Sequence, residues 1–437
     1  MRSPSPRISI LLSISLMFAV ISQAAQPTHT RRDWEADFGQ MLQNKVLKFW
    51  LDHAVDQKFG GVLGRLDRKG APTQPDNKSL VLESRTLWAF AEAYRRYPNP
   101  AYKDVALSCQ RFLRDHFFDK EHGGYYFMVS RDGHPTDTTK LINPMCYTME
   151  GLAEAAMAFH DPSAAQEALD LFRVIDKAAH DETYGGYRMV FTADWKYIED
   201  YKPGYEGPPP TYTGTFDRKS FDWHLGALEA FATLYDVTGD SLVRRRLEEL
   251  LDIFNNKIVD VNQGYGRLFF TRDWKQYFPD ERAHESEYGL DCEASWLIME
   301  SARLVGRVND PKTRQVVLAL ADHALRVGFD QEHGGLYNSG PVAGAVTNKG
   351  KSWWQECEAL VAFLNAFQMT GDAKYWDAFD KQAKFVEDKF LDHEYGEWYT
   401  GISADGKIES EKIGPWKAPY HITRALLEVT SRLGRTL

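Results

Sequence analysis

Cysteine is scarce in this chain. Four residues (Cys109, Cys146, Cys292 and Cys357) among 437 cannot frame a disulfide scaffold, and their spacing fits no zinc site. Each falls in a helical pattern among apolar neighbours, so buried thiols are expected, although export would permit one disulfide. Clustered positive charge is missing as well. A net charge of -10 with no basic run argues against nucleic acid and anionic membrane as partners. There is no Gly-rich phosphate loop and no grouped His/Cys/carboxylate motif, so neither a nucleotide nor a metal cofactor is expected. Long apolar runs are confined to Ile8–Ile21, which follows Arg2 and Arg7 and precedes Ser22-Gln23-Ala24. That run is short for a membrane span and reads as a signal peptide, residues 1–24, cleaved after Ala24. No cysteine follows the cleavage site, which removes a lipoprotein anchor of that kind. Removing Arg2 and Arg7 takes the net charge from -10 to -12. The expected product is a periplasmic or secreted protein, residues 25–437, with no membrane association after cleavage.

What is abundant is repetition. Phe59-Gly60-Gly61-Val62, His122-Gly123-Gly124-Tyr125, Tyr184-Gly185-Gly186-Tyr187, Gln263-Gly264-Tyr265-Gly266, His333-Gly334-Gly335-Leu336 and Tyr395-Gly396-Glu397-Trp398 recur at intervals of about 60 to 80 residues. Each is followed by a short aromatic or β-branched run and polar turn residues, the pattern of a tight turn entering a short hairpin. Between them the periodicity predicts twelve helices, at about 33–53, 80–97, 99–117, 143–160, 162–180, 219–238, 240–257, 287–306, 310–328, 351–370, 372–391 and 417–434. Short turns such as Pro98-Asn99-Pro100 and Asn309-Asp310-Pro311 separate the members of a pair. The helix before each turn is apolar nearly all round, and the one after it alternates charged and apolar residues. Six inner helices, six outer helices and six hairpins make an (α/α)6 barrel in a single domain.

Loops of such a toroid run into the starts of the inner helices, so a pocket is expected there. Aligned, those starts place Glu150, Glu229, Glu293, Glu358 and Arg424 in one column, with Tyr147, Gly226, Leu290, Gln355 and His421 three residues earlier. Charges in the first turns of apolar helices are costly unless paired or used. Capping of the helix dipole and pairing of neighbouring helices would explain them, and so would a site. The last segment, Gly414–Glu428, carries an aromatic (Trp416), a cation (Lys417), a helix-starting Pro419 and then His421. A His at a helix start is in most proteins a cap, so the six-fold likeness is what singles this one out.

GPWKAPYHITR, the KSWWQECEALVAFLNAF segment from Lys351, YGLDCEASWL from Tyr288 and RTLWAFAEAYR from Arg85 resemble the N-acylglucosamine 2-epimerase superfamily, nearest its cellobiose 2-epimerase branch, over about residues 33–434. The resemblance implies the (α/α)6 barrel and a carbohydrate substrate, whose ring opens before a base moves the C2 proton through an enediolate. Return to the other face of C2 is 2-epimerisation, and return to C1 is aldose–ketose isomerisation. It also implies His421 as a proton carrier, Arg85 beside the carbonyl oxygen, and Glu293 as the support of a neighbouring His. Trp353, Trp354 and Trp416 would face the sugar, and Tyr147, Glu358 and Arg424 complete the expected binding set. The family's two other histidines fall on Leu290 and Gly226, which leaves His224, two residues before Gly226, and His284, in the loop before Leu290, as replacements. His224 is taken as catalytic on that basis. A glycoside hydrolase or lyase using two of Asp222, Asp291, Glu293, Glu356 and Glu358 is the competing reading, and a non-catalytic sugar binder is the third. Monomer and homodimer are both compatible with the sequence.

Overall fold

The structure is a computed structural model that describes residues 29–198, 218–278 and 284–434. The leader expected over residues 1–24 lies outside the described residues. Among these, twelve helices alternate between an outer and an inner ring: α1 (31–53), α2 (Leu80–Arg96), α3 (100–117), α4 (Ile142–Phe159), α5 (Pro162–Ala179), α6 (Phe221–Thr238), α7 (241–258), α8 (Tyr288–Leu304), α9 (311–328), α10 (Trp353–Thr370), α11 (373–390) and α12 (Tyr420–Gly434). The even-numbered helices pack on one another in the order α2, α4, α6, α8, α10, α12 and back to α2. The (α/α)6 barrel read from the sequence is the fold.

The inner helices are apolar around their circumference and are buried accordingly. Burial is unbroken from Leu80 to Ala93, Ile142 to Ala156 and Tyr288 to Met299. Outer helices bury one stripe and start on side-chain caps: Asn99, Asp161, Asp240, Asp310 and Asp372 each accept a hydrogen bond from a first-turn N–H. Proline stands at the first helical position of α3, α5 and α9, where its missing N–H costs nothing. Every outer helix but α5 also contains a π turn, at 42–47, 113–117, 254–258, 324–328 and 386–390.

The glycine motifs form the hairpins. Asp56, Asp119, Asp181, Asp330 and Asp392 each accept N–H bonds from the next residues of their own turn. Across the turn, Val55 bridges Val62, Phe118 bridges Tyr125, and the later repeats match them. Gly60 and Gly61 have φ of 84° and 63°, the left-handed region that favours glycine. In the sixth repeat Glu397 takes that place at φ 58°, and Lys417 Nζ meets its carboxylate at 3.1 Å. In five of the six repeats a buried lysine locks the turn to the segment before the next inner helix. Lys140 Nζ donates to Asp119 Oδ2 (2.8 Å) and to the Gly123 carbonyl (2.6 Å), and Lys78, Lys219, Lys351 and Lys412 do the same elsewhere. Two of these strands, Lys351–Ser352 and the end of Arg218–Ser220, occupy residues that the periodicity assigns to helix starts.

The ring closes by joining first and last repeats. α1 packs on α12, Trp34 Nε1 donates to Asp380 (2.9 Å), and Leu66 bridges Ile413. Arg68 forms a fork onto Asp392 at 2.8 and 3.1 Å. All four cysteines are free and fully buried. Cys146, Cys292 and Cys357 are each the fifth residue of their inner helix, the place that Arg424 takes in α12. No described helix is long and apolar enough to cross a membrane.

Candidate active site

The hairpins stand around the N-terminal ends of the inner helices because first-turn side chains hold them there. Val62 N–H donates to Glu83 (2.9 Å), Gly266 N–H to Asp291 (2.8 Å) and Leu336 N–H to Glu356 (3.0 Å). Each acceptor is the fourth residue of its inner helix. Inside this rim the chain gathers its unusual charges.

Arg424, on the second turn of α12, is the hub. Its Nη2 donates to Glu293 (2.5 Å) and Glu358 (2.7 Å), while Nη1 donates to Glu229 and to Tyr420 Oη (2.9 Å). Tyr420 in turn donates to Glu150 at 3.0 Å. Buried carboxylates attract one another's protons and repel one another's charges, so one guanidinium facing three of them is what makes the group tolerable. Burial and Glu358 still push the Glu293 carboxyl up, with Arg424 and His421 opposing. The aligned column therefore does converge in space, although from three registers. Glu150 and Glu229 are ninth in their helices, Glu293 and Glu358 sixth, and Arg424 fifth.

His421 is only 5% exposed. Its Nδ1 lies 2.8 Å from Glu358 Oε1 and 3.9 Å from Glu293 Oε1. A carboxylate accepts only, so Nδ1 carries the hydrogen and Nε2 keeps its lone pair. Nε2 makes no hydrogen bond to a described residue. Glu358 is held from its other oxygen by Trp296 Nε1 at 2.9 Å. Burial, with Arg85 and Arg424 nearby and Glu293 opposing, holds the imidazole's pKa well below the ordinary histidine range. His421 is a neutral base in a fixed tautomer.

Arg85 comes from the second turn of α2 and lies flat over Tyr147 (4.0 Å to the ring centre) and Tyr420 (5.1 Å). Its Nη1 is 3.5 Å from the Trp416 carbonyl, and its Nε is buried without a hydrogen-bond partner. Trp354, partly exposed at the start of α10, sits 5.9 Å from the His421 ring. Trp416 is partly exposed and packs on Phe127 at 6.2 Å. Trp353, beside Trp354, donates its backbone N–H to Thr400 (3.1 Å) and leaves Nε1 buried. Gly289 is needed for this packing, since a Cβ there would come within 2.4 Å of Gln355 and 2.8 Å of Trp354. His421, Arg85, Glu293, Glu358, Arg424, Tyr147 and the tryptophans Trp354 and Trp416 thus share one end of the barrel.

His224 does not join them. Its Nδ1 faces the Ser220 carbonyl (2.7 Å), so it donates there, and its Nε2 accepts from Tyr187 N–H (3.0 Å). Both nitrogens are consumed, and burial drives its pKa to about 3. It is the fourth residue of α6, and holds its hairpin as Glu83, Asp291 and Glu356 hold theirs. The expectation of a catalytic His224 is corrected on that ground. His284 is exposed and stacks on Phe278 at 4.3 Å. Neither replaces the histidines expected at Leu290 and Gly226. Leu290 is core, and a Cβ on Gly226 would fall 2.1 Å from Asn143 Oδ1, so Asn143 fills the space of a larger residue.

The same inventory weakens the hydrolase reading. Asp291 also accepts from Ser286 and pairs with His323, Glu356 is bound by Gln382, and Glu293 and Glu358 belong to Arg424. No two of these are left to act as acid and nucleophile across a cleft. Glu293, Glu358 and His421 each present one ligand atom within 4.8 Å of the others, as a metal site would. The cation at that point is already the Arg424 guanidinium, so the donor set does not fit a metal ion.

The chain is similar in sequence and in fold to known proteins. The cellobiose 2-epimerase of Bacteroides fragilis is 31% identical over 395 residues, covering 89% of this chain and 96% of that protein. The structure of cellobiose 2-epimerase from Bacillus thermoamylovorans superposes with a TM-score of 0.83 at 29% identity, over 92% of this chain and 100% of that one. Human N-acylglucosamine 2-epimerase is 27% identical over 424 residues, 93% of this chain and 92% of its own. A sequence model described as N-acylglucosamine 2-epimerase (GlcNAc 2-epimerase) matches residues 61–425, from the first hairpin to the residue after Arg424, and the chain belongs to that family.

Proposed function

We propose that this protein is a sugar 2-epimerase or aldose–ketose isomerase that acts on the reducing end of a mono- or oligosaccharide. The observation that carries the reading is His421, a neutral imidazole fixed by Glu358, with a guanidinium and an aromatic wall beside it. With the sugar ring open, His421 Nε2 takes the C2 proton, and the C–H electrons form the enediolate as the carbonyl oxygen gains charge. Arg85 is the cation suited to that oxygen. The imidazolium formed is met by Glu358 and Glu293, which favours it only once the proton has moved. Trp354 and Trp416 offer flat apolar faces to the sugar's C–H edges.

Incubation of reducing sugars with the protein in D2O tests this. Deuterium at C2 of recovered aldose, or in a new ketose, is expected, and His421→Asn should lose roughly 10²–10⁴-fold of that exchange. New reducing ends would instead mean hydrolysis, and saturable binding without exchange would mean a sugar binder. We further propose export after cleavage behind Ala24, on the leader pattern of residues 1–24. Intact mass of the secreted protein should correspond to a chain starting at Ala25.

A further inference from the structure

We propose that Trp296 is a positioning residue of the site: by holding Glu358, it decides which nitrogen of His421 carries the hydrogen and so keeps Nε2 as the base. The inference rests on the proton-transfer reading above and deepens it by one residue behind the imidazole.

A neutral imidazole has two tautomers, and only the one with its hydrogen on Nδ1 leaves a lone pair on Nε2. Two neighbours compete for Nδ1. Glu358 Oε1, at 2.8 Å, accepts from it and so selects the active form. Arg424 Nη2, at 3.4 Å, is a donor only, and a bond from it to Nδ1 would put the hydrogen on Nε2. Glu293 Oε1, at 3.9 Å, is beyond bonding distance. The balance turns on where Nη2 directs its two hydrogens. Both go to carboxylates, at 2.5 Å to Glu293 and 2.7 Å to Glu358, so none is left for Nδ1. If Glu358 swings away, one of them is released toward the imidazole at the moment its acceptor is lost.

Trp296 prevents that swing. It is the ninth residue of α8, the level at which α4 and α6 carry Glu150 and Glu229, and it is 3% exposed. Its Nε1 donates to Glu358 Oε2 at 2.9 Å. The carboxylate is therefore held at both oxygens: His421 and Arg424 hold Oε1 from α12, and Trp296 holds Oε2 from α8. Among the described residues Trp296 is the one hydrogen-bond donor to Oε2. The indole is fixed in turn, since the Arg424 guanidinium lies over its ring at 4.9 Å. One bond then serves both stages of the reaction. Nδ1–H donates to Glu358 in the neutral ring and in the imidazolium, so proton uptake at Nε2 needs no rearrangement behind the ring.

The test uses the full-length protein as wild type, Trp296→Phe, Glu358→Gln and the double variant. Phenylalanine keeps a ring under Arg424 and lacks the N–H. With 15N-labelled histidine, NMR of wild type should show His421 as the Nδ1–H tautomer, its signals assigned by their absence in His421→Asn. In Trp296→Phe a measurable share should move to Nε2–H. Deuterium exchange at C2 of glucose, mannose and cellobiose in D2O should fall roughly 10–100-fold in kcat, with KM unchanged. Because Trp296 acts through Glu358, removing its N–H in the Glu358→Gln background should cause no further loss. A Trp296→Phe protein in which His421 is still wholly Nδ1–H overturns the proposal. So do losses in the two single variants that multiply in the double. Trp296→Leu, which also lacks the donor, makes the same comparison should the Phe variant not fold. If wild type exchanges no C2 hydrogen, the proton-transfer reading fails, while the tautomer comparison still decides the role of Trp296.

Discussion

At His421, burial and two guanidinium groups oppose the imidazolium, while Glu358 and Glu293 stand ready to receive it. The balance at rest favours the neutral ring, with a pKa below its usual position near 6.5. A lowered pKa means that the base stays unprotonated as pH falls past that position. The acid limb of kcat/KM should therefore lie below pH 6.5, which a pH–rate profile of wild type would show. Arg424 invites a second measurement. Arg424→Met removes the donor shared by Glu229, Glu293 and Glu358 and leaves buried carboxylates unpaired. A loss of about 3–5 kcal/mol in urea unfolding is expected. Arg424→Lys should recover only part of it, because an ammonium cannot present the guanidinium's fork to several carboxylates at once.

Between residue and molecule stands the helix start with its hairpin. Replacing His224 by Gln should cost stability of about 1–3 kcal/mol, since the Tyr187 N–H loses a well-placed acceptor. Turnover per folded molecule should change little. His224 also makes the fold sensitive to acid. The folded pKa of about 3 lies below the unfolded value near 6.5, so the unfolded chain binds the extra proton. Its contribution is complete above pH 6.5 and falls away as pH drops toward 3. The pH dependence of wild-type stability should thus be steeper over that window than that of the Gln variant. The helices themselves could be read from the sequence because Asn, Asp and Pro mark the starts of the outer ones, and apolar runs mark the inner ones. The strands of two or three residues before the inner helices were not legible, having no period to display. Nor could spacing show which side of its helix His224 serves. Comparison of the fourth residue across repeats would have shown it: Glu83, His224, Asp291 and Glu356 are all acceptors. His421 and Arg424 were legible because they are polar residues in an otherwise apolar helix start.

For the whole molecule, the decisive contacts are those that close the ring, through α1 on α12, Trp34 on Asp380 and Arg68 on Asp392. They hold in place the helix that carries His421 and Arg424, so the site depends on closure rather than on any one hairpin. The four buried cysteines give that closure a chemical signature. Burial pushes their thiols up in pKa and shuts them from solvent, so the native protein offers no ready thiolate. An Ellman-type reagent should find almost no reactive sulfur in native protein and four equivalents in denaturant. Under native conditions the slow colour development would then count openings of the ring, with Cys146, Cys292 and Cys357 reporting from the inner wall and Cys109 from α3. Without any engineered label, the protein would keep time on its own breathing.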